Sequence, residues 1–222
     1  MRIIASFYKH EQVMFVSHLD MQRLFQRAFR RADLPLAYSN GFNPHPLLSF
    51  ATALSVGYTS DCEYFDVMLS EYVSPAEFKR RVNAVLPQGV HIIDAVDAGE
   101  FKASLTPLMR SAEYDIELEF AESVPREAFY AAVDEILNGG EIIVSKKTKG
   151  GIKDVDIRPM LLGLSVSEFG GRIAKLRLRG KLTAEGGLSP ELLLGAFYKK
   201  LGTNANSSVN RRNIEMDWTV IA

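Results

Sequence analysis

The sequence predicts an α+β chain in which antiparallel sheets carry helices on one face. Short apolar or aromatic stretches read as strands, and between them lie stretches with a 3.6-residue apolar rhythm and recognisable caps. The same order of elements recurs, loosely, in both halves of the chain. A chain of 222 residues, 47% of them hydrophobic, is long enough to fill two cores of about 100 residues each.

In the first half, residues 3–8 read as a strand. A helix follows from Ser17, whose hydroxyl can cap the first turn, with Asp20 three positions on. Met21, Phe25, Ala28, Phe29 and Ala32 fall on one face of that helix, and Pro35 ends it. A short strand is expected at 36–39, then a GFNPHP loop at 41–46 and extended segments around 48–57 and 63–69. A second helix begins after Ser74 with Pro75 in its first turn, and 90–96 closes the unit as a strand. The order β-α-β-β-α-β is that of a ferredoxin-like unit.

The second half repeats it with strands at 114–120, 142–145, 160–168, 172–182 and 214–221 and helices at 124–137 and 189–201. The expected organisation is two ferredoxin-like halves in tandem, residues 1–98 and 111–222, joined by a linker at 99–110.

Net charge is −1, so bulk charge points to neither nucleic acid nor membrane. No apolar run approaches the roughly 20 residues of a membrane span. The N-terminal MRIIASFYKH reads as a strand rather than a signal peptide, and the expectation is a cytoplasmic protein. The single cysteine, Cys62, excludes an internal disulfide and a cysteine-ligated cluster built from this chain alone. Its acidic neighbours Asp61 and Glu63 disfavour a thiolate there.

Charge is unevenly placed. Residues 111–141 hold nine acidic residues and one basic, a net of −8, and residues 142–222 hold fourteen basic and seven acidic, a net of +7. Glu113, Asp115, Glu117 and Glu119 alternate on one strand, and Lys175, Arg177, Arg179 and Lys181 alternate on another. The two rows either form cross-strand pairs, each worth a fraction of a kcal/mol, or leave a basic face for a partner.

Ser17-His18-Leu19-Asp20, followed by RAFRRADLPLAYSNGFNPHPLLSFATALSVGYTSDCEYFDV at 27–67 and KDVDIRP at 153–159, resembles the signature of the radical-SAM-linked proteins. That resemblance implies partnership with a separate radical SAM enzyme of the cobalamin-binding type. The chain lacks the CxxxCxxC motif such an enzyme needs. The expected architecture is also similar to that of the tandem ferredoxin-like endonucleases that process CRISPR repeat RNA, a likeness of fold only.

Several residues are candidates for function. His18 lies in the first helical turn, where the helix dipole favours a neutral imidazole able to act as a base, or it simply packs beside the cap. His45 is held between Pro44 and Pro46, beside Phe42 and Tyr38, and is displayed either for a base, phosphate or carboxylate or as part of a rigid turn. A metal site from His18, Asp20 and His45 has no diagnostic spacing, and neither metal nor cofactor is expected. Arg23, Arg27, Arg30 and Arg31 form a helical stripe that is either solvated or set to meet phosphates. Lys146, Lys147, Lys149 and Lys153 sit in a Gly-containing hairpin or loop that no acidic run obviously neutralises.

The leading expectation is a non-catalytic module that binds RNA, transfer or ribosomal, and presents it to a radical SAM enzyme. The alternatives are a metal-independent RNA endonuclease, with His18, His45 and Tyr38 as catalytic candidates, and a pure protein-docking domain.

Overall fold

The computed structural model describes residues 1–148 and 151–220. It is a mixed α+β protein with four α-helices among the described residues and mostly antiparallel strands. The chain divides into two compact units, Met1–Met109 with Asn213–Ala222, and Arg110–Arg212.

The first unit runs β1 (Arg2–Lys9), α1 (His18–Arg31), β2 (Leu48–Phe50), β3 (Thr59–Met68), α2 (Pro75–Asn83) and β4 (Val90–Asp97). β1 lies between β3 and β4, antiparallel to both, and β2 pairs with β3. Both helices start where the sequence places them. Ser17 Oγ accepts from the Asp20 amide, and Ser74 Oγ accepts from the Glu77 amide with Pro75 in the first turn. α1 stops at Arg31, before Pro35, because Asp33 turns the backbone left-handed at φ +51°.

Period-two alternation on β1 sends Ile3, Ala5 and Phe7 inward, where Phe7 meets the helix side chains. Its ring is 4.9 Å from that of Phe25, which is 4.9 Å from Phe65, and Phe29 continues the row to Phe78 at 5.7 Å. Phe25, Phe29, Phe65 and Phe78 are fully buried, each worth roughly 1.5–3 kcal/mol of transfer free energy.

The second unit contains β5 (Met109–Phe120, which starts one residue earlier), α3 (Arg126–Asn138), β6 (Ile143–Thr148), β7 (Gly151–Asp156), β8 (Leu161–Phe169), β9 (Ile173–Thr183), β10 (Gly186–Gly187) and α4 (Pro190–Leu201). β9 is bordered by β5 and β8, and β6 and β7 form a separate two-stranded hairpin. Phe129, from α3, centres the core, with Phe169 at 4.2 Å, Phe197 at 5.5 Å and Phe120 at 6.3 Å.

Several elements differ from the sequence reading: β5 starts five residues before the expected 114, inside the expected linker, and β7 is an additional strand. Residues 36–39 make only isolated bridges, Leu36 to Leu69 and Tyr38 to Pro46, and the segment after Phe50 leaves the sheet at once. The last strand, β11 (Ala205–Met216), starts nine residues earlier than expected and gives way to a short 3-10 turn at Trp218–Val220. Its first part lies beside β5, and its residues from Asn213 onward belong to the first unit.

Candidate nucleic-acid interface

The loop carrying His45 is a small, internally tied lobe. Tyr38 bridges Pro46, the Ser39 amide donates to the His45 carbonyl at 2.9 Å, and Ser39 Oγ accepts from the His45 amide at 3.1 Å. The same hydroxyl lies 3.0 Å from His45 Nδ1, which leaves Nε2 as the ring nitrogen available to a ligand. Gly41 takes φ +118°, which only glycine adopts without strain, and this places Phe42 at the tip with its side chain fully exposed. His45 lines a groove of about 490 Å³ whose floor includes Arg2 and Asp66.

His18 is in a different place. It lines a pit of about 20 Å³ together with Lys9, Phe50 and Glu63, room for about one water. The ring meets Phe50 edge-on at 5.4 Å, and its Nε2 lies 3.4 Å from the Gln22 amide nitrogen. Lys9 donates to the Met14 carbonyl at 2.8 Å, and its pKa is lowered by burial, partly offset by the nearby Glu63 carboxylate. The two candidate histidines are thus not brought to one centre, and Tyr38 stays with the His45 lobe. Among the described residues, no group of three or more His, Cys, Asp or Glu side chains is placed to hold a metal. Burial pushes the Cys62 thiol pKa up, which argues against a nucleophile.

The arginine stripe on α1 is partly engaged. Arg23 pairs with Asp20 at 3.0 Å, and Arg31 donates to the Val85 carbonyl at 2.8 Å beyond the end of α2. Arg27 and Arg30 are exposed.

The two basic stretches of the second unit have opposite surroundings. On β9, Arg179, Arg177 and Lys175 stand directly opposite Glu113, Asp115 and Glu117 of β5, so the ladder forms. Arg177 Nε reaches Asp115 Oδ1 at 3.1 Å, while Lys175 turns to Glu168 of β8 at 2.7 Å. Lys181 falls opposite Ser111.

On the hairpin, Lys146 of β6 stands opposite Lys153 of β7, both exposed, and Lys147 is opposite Ile152. Lys149 lies outside the described residues. Like charges facing each other across a strand pair are unfavourable in isolation. The hairpin base is anchored: Asp156 Oδ1 accepts from the amides of Ile142 and Arg158, both at 2.9 Å, and Arg158 Nη2 caps α3 at the Leu137 carbonyl, 2.8 Å away. The KDVDIRP segment therefore ties the base of the lysine-bearing hairpin to the end of α3.

The buried charged residues of the first unit, Arg2, Lys9, Glu63 and Asp66, were not singled out as site residues from the sequence. Strand alternation carried the signal for two of them. Lys9 is in phase with Phe7, and Glu63 with Phe65, so both had to face inward.

No described helix is long and apolar enough to cross a membrane. No curated protein matches the sequence. Solved structures with a similar fold include a Cbf5–Nop10–Gar1 complex (TM-score 0.56, 12% identity, 96% of this chain and 48% of that one). A second is an H/ACA RNP bound to a substrate RNA containing 2′-deoxyuridine (TM-score 0.55, 12% identity, 96% of this chain and 47% of that one). A third is an archaeal box H/ACA sRNP Nop10–Cbf5 complex (TM-score 0.51, 13% identity, 94% of this chain and 46% of that one). The chain spans about half the length of these matched chains, and at such identity the likeness is one of fold alone. A family model fits residues 2–190, and on that match the chain belongs to the family described as "Uncharacterized protein conserved in bacteria (DUF2344)".

Proposed function

We propose that this protein is a non-catalytic RNA-binding module, built of two ferredoxin-like halves, that presents a transfer or ribosomal RNA to a separate radical SAM enzyme. The observation that carries the reading is the hairpin anchored at its base on which Lys146 stands opposite Lys153. An arrangement that is unfavourable alone becomes favourable when phosphates lie across it. The displayed His45 and Phe42, and Arg27 and Arg30 on α1, add contacts in the first unit. The similar fold in an RNP bound to a substrate RNA supports the same partner class. The radical SAM partner rests on the SHLD, GFNPHP and KDVDIRP resemblance.

The test is retention of total cellular RNA by the purified protein over a salt series, with the retained species sequenced. A salt-sensitive preference for one RNA class is expected. No retention at low salt would overturn the reading in favour of protein docking. Cleavage in excess chelator leaving 2′,3′-cyclic phosphate ends would replace it with the endonuclease.

A further inference from the structure

The lobe at 38–46 displays one aromatic ring on a backbone that is tied on both sides. Phe42 is fully exposed at its tip. Behind it, the Ser39 amide donates to the His45 carbonyl, and Ser39 Oγ meets both the His45 amide and Nδ1. Tyr38 bridges Pro46 at the base of the lobe. Pro44 and Pro46 restrict the backbone on either side of His45. A ring presented on such a backbone has little chain freedom to lose when something covers it.

The surroundings of the ring narrow what that covering is. Residues 34–60 contain no Asp, Glu, Lys or Arg, in a chain that is 24% charged. A lobe without cations gains nothing from counterion release and does not hold a phosphate by charge. A protein interface buries an apolar core wider than one ring. Here the exposed residues next to Phe42 are Asn40, Gly41, Asn43, Pro44 and His45. A nucleobase matches both features. Its flat face stacks on the phenyl ring, and its edge takes neutral hydrogen bonds from amide and imidazole side chains.

We infer that this lobe captures one unpaired base of the RNA, stacked on Phe42, with its edge met by the side chains of Asn40, Asn43 or His45. The inference deepens the RNA reading and rests on it. It names the substrate class: RNA with an unpaired base in a loop, a bulge or an end, because a base inside a duplex has no free face. It also divides the labour by kind. The hairpin lysines carry the salt-dependent contacts, and the lobe carries a salt-independent one.

The test is binding of a short single-stranded RNA carrying one 2-aminopurine, read by anisotropy and by the fluorescence of that base. The parent protein is expected to change the 2-aminopurine emission as the base moves onto the ring. Phe42→Ala touches no core contact, and it should weaken binding about 5- to 150-fold and abolish the emission change. The slope of affinity against salt should stay at the parent value. Phe42→Trp should bind at least as well as the parent, whereas Phe42→Leu, apolar but without a π face, should behave as Phe42→Ala. On a fully paired duplex all four proteins should bind within twofold of one another.

Parent-like binding of single-stranded RNA by Phe42→Ala or Phe42→Leu overturns the inference and leaves the hairpin reading standing. If Phe42→Ala keeps its RNA affinity but loses a co-purifying protein, the lobe is a protein-docking knob and the inference falls. A parent protein that binds no RNA at low salt removes the RNA reading itself, and the base site with it.

Discussion

β9 and the β6–β7 hairpin carry basic residues at similar density, yet strand pairing sets different neighbours opposite them. On β9 each of three cations faces a carboxylate across the strand, and Glu168 takes a further share. On the hairpin a lysine faces a lysine. Local sequence composition does not separate these cases; strand pairing does. A basic strand is therefore weak grounds for nucleic-acid binding until its neighbour is known.

The strongest way to break this contrast is charge reversal on the arm. Lys146→Glu, Lys147→Glu and Lys149→Glu together should weaken RNA binding by roughly tenfold or more. The salt dependence on a single strand should become shallower by about two units of log–log slope, at about 0.7 for each phosphate no longer neutralised. Fluorescence anisotropy over a salt series reads both, and a parent-like slope would remove the arm from the interface. Arg177→Glu should do the reverse, placing like charges opposite each other on β9 and β5. It should lower Tm by about 2–4 °C while RNA affinity stays within twofold. A large affinity loss at unchanged Tm would mean that β9 is the binding face.

A double-mutant cycle of Asp115→Ala and Arg177→Ala should give a coupling of about 0.2–1 kcal/mol, as expected for a half-exposed pair. A value of zero would reduce the ladder to proximity. The smallest effect belongs to Lys153→Thr, which relieves the Lys146 repulsion. Amide exchange in the hairpin should slow modestly while RNA binding weakens. Faster exchange would show that Lys153 stabilises the arm rather than straining it.

Much of the framework was legible because its signals are local. Ser17, Ser74 and Pro75 mark helix starts, and the five apolar positions of α1 name its buried face. The early start of β11 was not legible, because Ala205–Asn210 is polar and reads as a loop. Its order comes from strand neighbours far away in sequence.

The candidate site was legible in the same uneven way. His45 between two prolines was visible as a displayed residue. That Arg2 and Asp66 would form the floor beneath it depends on β1 pairing with β3 across more than 60 residues of chain. His18 was correctly placed in the first helical turn, but the size of the pit around it could come only from packing.

The division of β11 between units has a consequence for biosynthesis. The first unit lacks Asn213–Met216 until the whole of Arg110–Arg212 has been made. At elongation rates of about 5–20 residues per second, that interval is roughly 5–20 s. Throughout it a nascent chain would expose the edge of β3 that later receives β11. A nascent chain would thus close its first unit only after its second has been made.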